Sequence, residues 1–181
     1  MIKVGISGKI ASGKSEAEHI ISTLGYKVFD LDKISREIFN QEEVKKEVFS
    51  IFKTLDRNKI GQIIFEDNYK KEALEKIIHP EIKKEIFNLF EKHRNEKMIF
   101  ISGALLFKSG FYKFFDKTIF VNAKDEIRLA RLMKRNNLTK ENALQRLNSQ
   151  DDGSLADFII DNNQDINSLE EKIKNIIKGL I

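Results

Sequence analysis

No cysteine occurs among the 181 residues of this chain. That excludes disulfides, thiolate nucleophiles and cysteine-ligated zinc, and it suits a reducing compartment. No apolar run approaches the ~20 residues that a membrane-spanning helix needs. The opening Met1-Ile2-Lys3-Val4-Gly5 runs straight into a strand-like segment, so no signal peptide is expected. Internal repeats, linkers and low-complexity tracts are also lacking. With 41% hydrophobic and 33% charged residues, the composition is that of a globular domain rather than a disordered chain. The expectation is one cytoplasmic domain with no membrane partner.

Arginine is the other scarcity. Lysine supplies 25 of the 32 basic residues and arginine only 7. Where Lys is used so freely, each Arg is a candidate for work that an ammonium does badly, such as planar bidentate contact with phosphate. Four of the seven, Arg128, Arg131, Arg135 and Arg146, fall within 19 residues. The net charge of +4 does not by itself indicate nucleic acid. Lys and acidic residues interleave, as in Lys45-Lys46-Glu47 and Lys83-Lys84-Glu85, which is the pattern of solvated helix faces. No nucleic-acid partner is expected, although a modest positive excess helps to gather polyanionic small substrates.

What is present is an alternation of short β-rich runs and helical patterns. Lys3 to Ser7, Lys27 to Asp30, Met98 to Ser102, Thr118 to Val121 and Phe158 to Ile160 read as strands. Between the first two, Ala17, Ile20, Ile21 and Leu24 recur at helical spacing and Gly25 closes the helix. Strands separated by helices predict an α/β fold with a doubly wound parallel sheet. Such sheets bind ligands beyond the carboxyl ends of their strands. Residues 33–95 break the alternation with Glu, Lys, Ile and Phe at helical spacing, and read as a helical insertion. Its expected core includes Phe39, Phe49, Phe52, Phe65, Phe87 and Phe90, and Pro80 is expected in the first turn of a helix. The core is therefore assigned to 1–32, 96–123 and 151–181. Residues 124–150 form two further helical stretches, with Thr139 a candidate N-cap for the second.

Gly8-Lys9-Ile10-Ala11-Ser12-Gly13-Lys14-Ser15 matches G-x-x-x-x-G-K-[ST], with a strand before it and a helix after it. The glycines let backbone N–H groups curl around phosphates, and the following helix points its positive end at them. Lys14 would reach the β- and γ-phosphates of ATP, and the Ser15 hydroxyl would hold Mg²⁺. A GTPase switch does not fit. Asn122-Ala123-Lys124-Asp125 has the residues of N-K-x-D in the wrong order, and D-x-x-G is absent.

A kinase also needs a base and a cover. Asp30 and Asp32 stand where the second strand ends, and i, i+2 spacing on a strand would put both carboxylates on one face. One would take a proton from an acceptor hydroxyl and the other would orient Mg²⁺ or its waters. Equally, Asp32 reads as a cap for a helix beginning near Lys33. On a helix, Arg128, Arg131 and Arg135 share a face opposite Leu129, Leu132 and Met133, and Arg146 shares one with Gln150. Such an Arg-rich hairpin, 124–150, reads as a lid that closes over ATP.

Taken in order, several segments resemble the dephospho-CoA kinase family over essentially the whole chain. They are the loop Gly8–Ser15, Phe29-Asp30-Leu31-Asp32, Asp56-Arg57 with Ile63-Ile64-Phe65, and Ile77-Ile78-His79-Pro80. Leu105-Leu106-Phe107, Arg131-Leu132-Met133-Lys134-Arg135 and Ala156-Asp157-Phe158-Ile159-Ile160-Asp161-Asn162-Asn163 complete the series. The resemblance implies transfer of the γ-phosphoryl group of ATP to the ribose 3′-hydroxyl of dephospho-coenzyme A, with Mg²⁺. It implies Asp32 as general base and Arg135 as a lid residue at the phosphates, which with Lys14 of the loop make up the candidate catalytic groups. The candidate nucleotide set is Gly8, Ala11, Ser12, Gly13, Lys14, Ser15 and Glu16 of the loop and helix start, to which the resemblance adds Arg131 and Arg146 in support and Asn162 and Asn163 near the adenine. Ser15 and Asp30 would serve the metal, and the insertion would take the pantetheine-bearing acceptor. Other small-molecule P-loop kinases share the catalytic parts and are the alternative. This chain departs from the family pattern at Lys9 and Ala11, commonly Gly, at Glu16, commonly Thr, at Ala104, where the family has Pro, and at Lys108, where it has Glu. His19, His79 and His93 are too scattered to suggest a metal.

Overall fold

The computed structural model describes residues 1–147 and 153–181, so Gln150 lies outside the described residues. The five apolar runs form strands β1 (Ile2–Gly8), β2 (Lys27–Asp30), β3 (Met98–Ser102), β4 (Lys117–Asn122) and β5 (Phe158–Asp161). Their order across the sheet is β2-β3-β1-β4-β5, with every neighbouring pair parallel. A parallel sheet buried on both faces needs apolar residues at odd and even positions alike, and the strands supply them. Val4, Ile6, Phe100, Ile119, Val121 and Ile160 join Ile20 and Ile21 of α1 (Lys14–Thr23) in one core cluster. A later helix contributes Leu169, Ile173 and Ile177 to it. The alternate positions Ile99, Ile101 and Phe120 are equally buried on the opposite face. Gly25, at φ +89°, ends α1 in the left-handed conformation that glycine adopts without strain.

The chain divides into two compact units, Met1–Asp30 with His93–Ile181, and Leu31–Lys92. The second is all helical: α2 (Leu31–Phe39), α3 (Glu42–Phe52), α4 (Arg57–Glu66) and α5 (Asn68–Lys92). The four helices thus occupy Leu31–Lys92, against the 33–95 read from sequence. In α3, Val44, Val48 and Phe52 recur every four residues and are buried, as a one-faced helix requires. Asp56 caps α4, its side chain accepting from the N–H groups of Asn58 and Lys59.

Two expectations about this unit need correction. Phe39, Phe52 and Phe90 are buried, but Phe49, Phe65 and Phe87 are 51%, 89% and 45% exposed. Phe49 and Phe87 each stand one residue beyond a fully buried position, Val48 and Ile86, and about 100° of rotation per residue turns them out. Phe65 follows Ile60, the buried residue of α4, by five residues, about 140° around the helix. Pro80 does not open a helix but lies inside α5. Its ring removes one backbone hydrogen bond, while buried Ile78, Ile82 and Ile86 on the same stripe keep the helix continuous around it.

The rest of the first unit comprises α6 (Asp125–Asn136), α7 (Lys140–Leu147) and α8 (Ile166–Leu180). Thr139 precedes α7, and its hydroxyl accepts from the Asn142 N–H at 3.4 Å. Among the described residues no helix is long and apolar enough to cross a membrane.

Candidate active site

Central strand β1 ends at Gly8 and delivers the loop Lys9–Gly13 to the carboxyl edge of the sheet. The Lys9 N–H donates to the Val121 carbonyl of β4 at 3.3 Å, and the Ser12 N–H closes back on the Lys9 carbonyl at 3.0 Å. Gly13 is the N-cap of α1, at φ +100° and with no side chain to cap the helix. The first-turn N–H groups of α1 therefore meet no side-chain acceptor at the cap, which is the condition for anion binding at a helix start. A Cβ at position 13 would fall on the Asn162 amide, so both backbone sign and space require glycine there. Ala11 also has positive φ, +60°, a conformation that a residue with a Cβ adopts at a steric penalty.

A cavity of about 660 Å³ opens at this loop, a volume in the range of small-molecule sites. Ala11, Gly13, Lys14, Ser15 and Glu16 line it from the loop and the start of α1, with Ala104 and Leu105 from the segment after β3. Arg131, Arg135 and Arg146 line it as well. The structure thus brings the phosphate-loop signature and three of the four clustered arginines to one space. Lys14 is held there by Glu18 one turn along α1, Nζ to Oε1 at 2.6 Å, with both side chains less than a fifth exposed. Glu18 is absent from the candidates read in the sequence. The i, i+4 spacing from Lys14 permits this pair but does not single it out among helical carboxylates.

The fourth arginine is different. Arg128 is 2% exposed, donates through Nε to the Ile10 carbonyl at 3.0 Å and through Nη1 to Asp125 at 2.7 Å. It braces the loop from behind instead of facing the cavity, which corrects its inclusion in a lid face with Arg131 and Arg135. Arg131 is half-buried, with Nη1 donating to the Ser12 carbonyl and Nη2 to the Asn162 carbonyl. Arg135 is exposed, its Nε on the neighbouring Asn136. Burial thus falls along α6 from Arg128 to Arg135.

Asn162, just beyond β5, is 6% exposed and donates from Nδ2 to the Ser12 carbonyl at 2.8 Å. Asn163 accepts from the Lys124 N–H at 2.8 Å, ahead of α6. Gly8, with no side chain, is closely approached by Val121 of β4 and by Ser12. Asp30 is exposed at the last position of β2, in register with Ser102 of β3. Asp32 lies in the other unit, inside the first turn of α2, which begins at Leu31. The backbone has already turned from strand to helix there, so the alternation that placed Asp30 and Asp32 on one strand face does not extend to Asp32.

The donor set suits Mg²⁺ of the kind P-loop proteins hold. Such an ion takes a loop hydroxyl, phosphate oxygens and waters, not a cage of side chains. Among the described residues no group of three His, Cys, Asp or Glu could form such a cage. Ser15, which lines the cavity, is the loop residue that carries such a hydroxyl. Next to Asp30, the Ser102 Oγ is buried without a hydrogen-bond partner among the described residues, an unsatisfied oxygen at the same sheet edge. His79, in α5, has its pKa lowered by burial, an effect that the Glu75 charge one turn earlier opposes.

The dephospho-CoA kinase family model matches residues 2–168. A dephospho-CoA kinase of Listeria monocytogenes is 35% identical, over 98% of this chain and 96% of that protein. The chain belongs to the dephospho-CoA kinase family. Among solved structures, one of a Thermus thermophilus protein superposes with a TM-score of 0.83 at 30% identity, covering 99% of this chain and 98% of that one. A dephospho-CoA kinase from Campylobacter jejuni gives 0.70 at 30% identity, with 98% and 96% covered. The P-loop kinase fold and the five-stranded parallel sheet read from the sequence agree with this membership. In this member of the family the loop carries Lys9 and Ala11, and Ala11 takes the left-handed conformation.

Proposed function

We propose that this chain transfers the γ-phosphoryl group of ATP to the ribose 3′-hydroxyl of dephospho-coenzyme A. Family membership supports the substrate pair, and one observation carries the chemistry: an open helix start, Lys14 and three arginines meet at a single cavity. In phosphoryl transfer the protein chiefly positions the reactants and stabilises charge on the moving group. The N–H groups at the start of α1 would receive the phosphates. Lys14 would exchange the Glu18 carboxylate for phosphate oxygens. Arg135, exposed at the cavity, would reach the transferring group, with Arg131 and Arg146 in support. Ser15 and Asp30 would hold Mg²⁺ or its waters, and the ion supplies charge neutralisation at the β- and γ-phosphates when bound. Asp32 would take the 3′-hydroxyl proton, an assignment supported by its family position at the start of α2. The exposed aromatic side chains of the helical unit, Phe65 and Tyr69, offer apolar surface to a pantetheine-bearing acceptor. Action in the cytoplasm fits the absence of cysteine.

The test is a coupled ADP-release assay across acceptors. Dephospho-coenzyme A is expected to support turnover at least about a hundredfold above nucleoside monophosphates and shikimate, a margin within reach of sites that read a substrate by buried polar contacts. Equal or better turnover with another alcohol would transfer the chain to a different small-molecule kinase activity.

A further inference from the structure

We propose that Asn162 is a positioning residue of the phosphate loop, turning the Ser12–Gly13 peptide so that its N–H faces the cavity. A trans peptide is planar, and its C=O and N–H point in opposite directions. Whatever captures the Ser12 carbonyl therefore aims the Gly13 N–H. The Asn162 amide captures it at 2.8 Å, and Arg131 Nη1 adds a second donor at 3.2 Å. Arg131 Nη2 in turn bonds the Asn162 carbonyl at 3.3 Å, closing a triangle among α6, the end of β5 and the loop. The Asn162 backbone is itself fixed, its N–H donating to the Asn122 carbonyl of β4 at 2.8 Å. Gly13, on the other side of the peptide, lines the cavity.

The alternative orientation explains why such a device matters. A flipped peptide would present the Ser12 carbonyl, a negative dipole end, to the phosphates and withdraw one N–H from them. Gly13 is at positive φ, where glycine has little intrinsic preference between the two signs, so the local chain does not choose by itself. Asn162 makes the choice from a buried position. The inference rests on the reading that this loop binds the phosphates of ATP, and it separates Asn162 from a contact with the adenine.

Inorganic tripolyphosphate distinguishes these roles because it has the phosphates and no base. Binding of tripolyphosphate and of ATP is measured by calorimetry for the unaltered chain, Asn162→Ala and Lys14→Ala, alongside melting temperature and the Gly13 amide resonance. Asn162→Ala is expected to weaken both ligands by about tenfold, the loss of the hydrogen bond from a misaimed Gly13 N–H to a charged phosphate, and to shift the free-state Gly13 resonance. Weaker ATP with unchanged tripolyphosphate would assign Asn162 to the adenine and overturn the proposal. So would unchanged affinity for both. If the alanine variant does not fold, Asn162→Ser is measured instead, with the same expected and overturning results. Failure of the unaltered chain to bind tripolyphosphate would remove the phosphate-loop reading and this inference together. Binding that Lys14→Ala loses and the Asn162 variant keeps would remove the inference alone.

Discussion

Asp32 and Lys14 show how differently single residues reveal themselves in a sequence. Lys14 stands in a pattern whose spacing has a mechanical meaning, so its place at the cavity was legible from eight residues. Asp32 was ambiguous between a base and a helix cap, and the structure narrows the second option by starting α2 at Leu31, with Asp32 within the first turn. A carboxylate there interacts favourably with the helix dipole, and a neutral Asn gives up only that small contribution, about 0.3–1 kcal/mol at an exposed site. Asp32→Asn is accordingly expected to leave folding and ATP affinity close to normal while lowering turnover by about 10²–10⁴-fold, the range for a lost positioned base. Turnover, ATP affinity and melting temperature measured on one preparation decide the matter. A fully active variant would place the base elsewhere. Glu18 was missed for the opposite reason: helical carboxylates are common, and only the observed 2.6 Å pairing with Lys14 distinguishes this one.

Among the elements, α6 is the one whose role shifted most between sequence and structure. Helical periodicity correctly put Arg128, Arg131 and Arg135 along one side, but it carries no information on what that side meets. Packing sorts them. Arg128 is buried against the loop backbone, Arg131 is half-buried, and Arg135 is exposed. A helix pinned at its start by a buried guanidinium is a poor candidate to move as a whole. Asn137, at φ +49°, ends α6 in a left-handed turn and is a natural pivot for α7. Hydrogen exchange should therefore show α7 amides slowing severalfold or more on addition of an ATP analogue, with the first two turns of α6 protected in both states. A uniform response across α6 and α7 would restore a lid that includes all of α6. Arg128→Ala should be costly for stability, because it removes the buried hydrogen bond from Nε to the Ile10 carbonyl and leaves a buried void.

On the scale of the whole molecule, the parallel sheet depends on tying its outer strands to the centre. Asp157, one residue before β5, accepts from the Thr118 N–H and Oγ1 at 2.8 Å each and from Lys117 at 3.2 Å. Partial burial is the largest single influence and favours the neutral form, but the Thr118 hydrogen bonds together with the Lys117 bond and charge outweigh it, so the pKa lies below the ordinary value. A carboxyl with a depressed folded pKa adds stability above its unfolded value near 3.9, and loses it as pH falls through the folded value. Thermal melts should show this loss below about pH 4. Asp157→Asn should lower the melting temperature at neutral pH by about 2–4 °C, the equivalent of roughly 1 kcal/mol in a chain of this size, and flatten the acid limb. An unchanged acid limb in the variant would move that pH dependence to other carboxylates.

The sequence alone determined the alternation of strands and helices, the phosphate loop and the family, because period, glycine placement and motif spacing are local properties of the chain. It did not determine which side of a helix faces the interior. Phe65 and Phe49 were expected in the core and are exposed, and Arg128 was expected at a ligand face and is buried. Nor did it show that Asn162 reaches the Ser12 carbonyl across 150 residues. Those outcomes depend on partners distant in sequence, and only the packed arrangement of α6, β5 and the loop brings the donors and carbonyls within hydrogen-bonding distance.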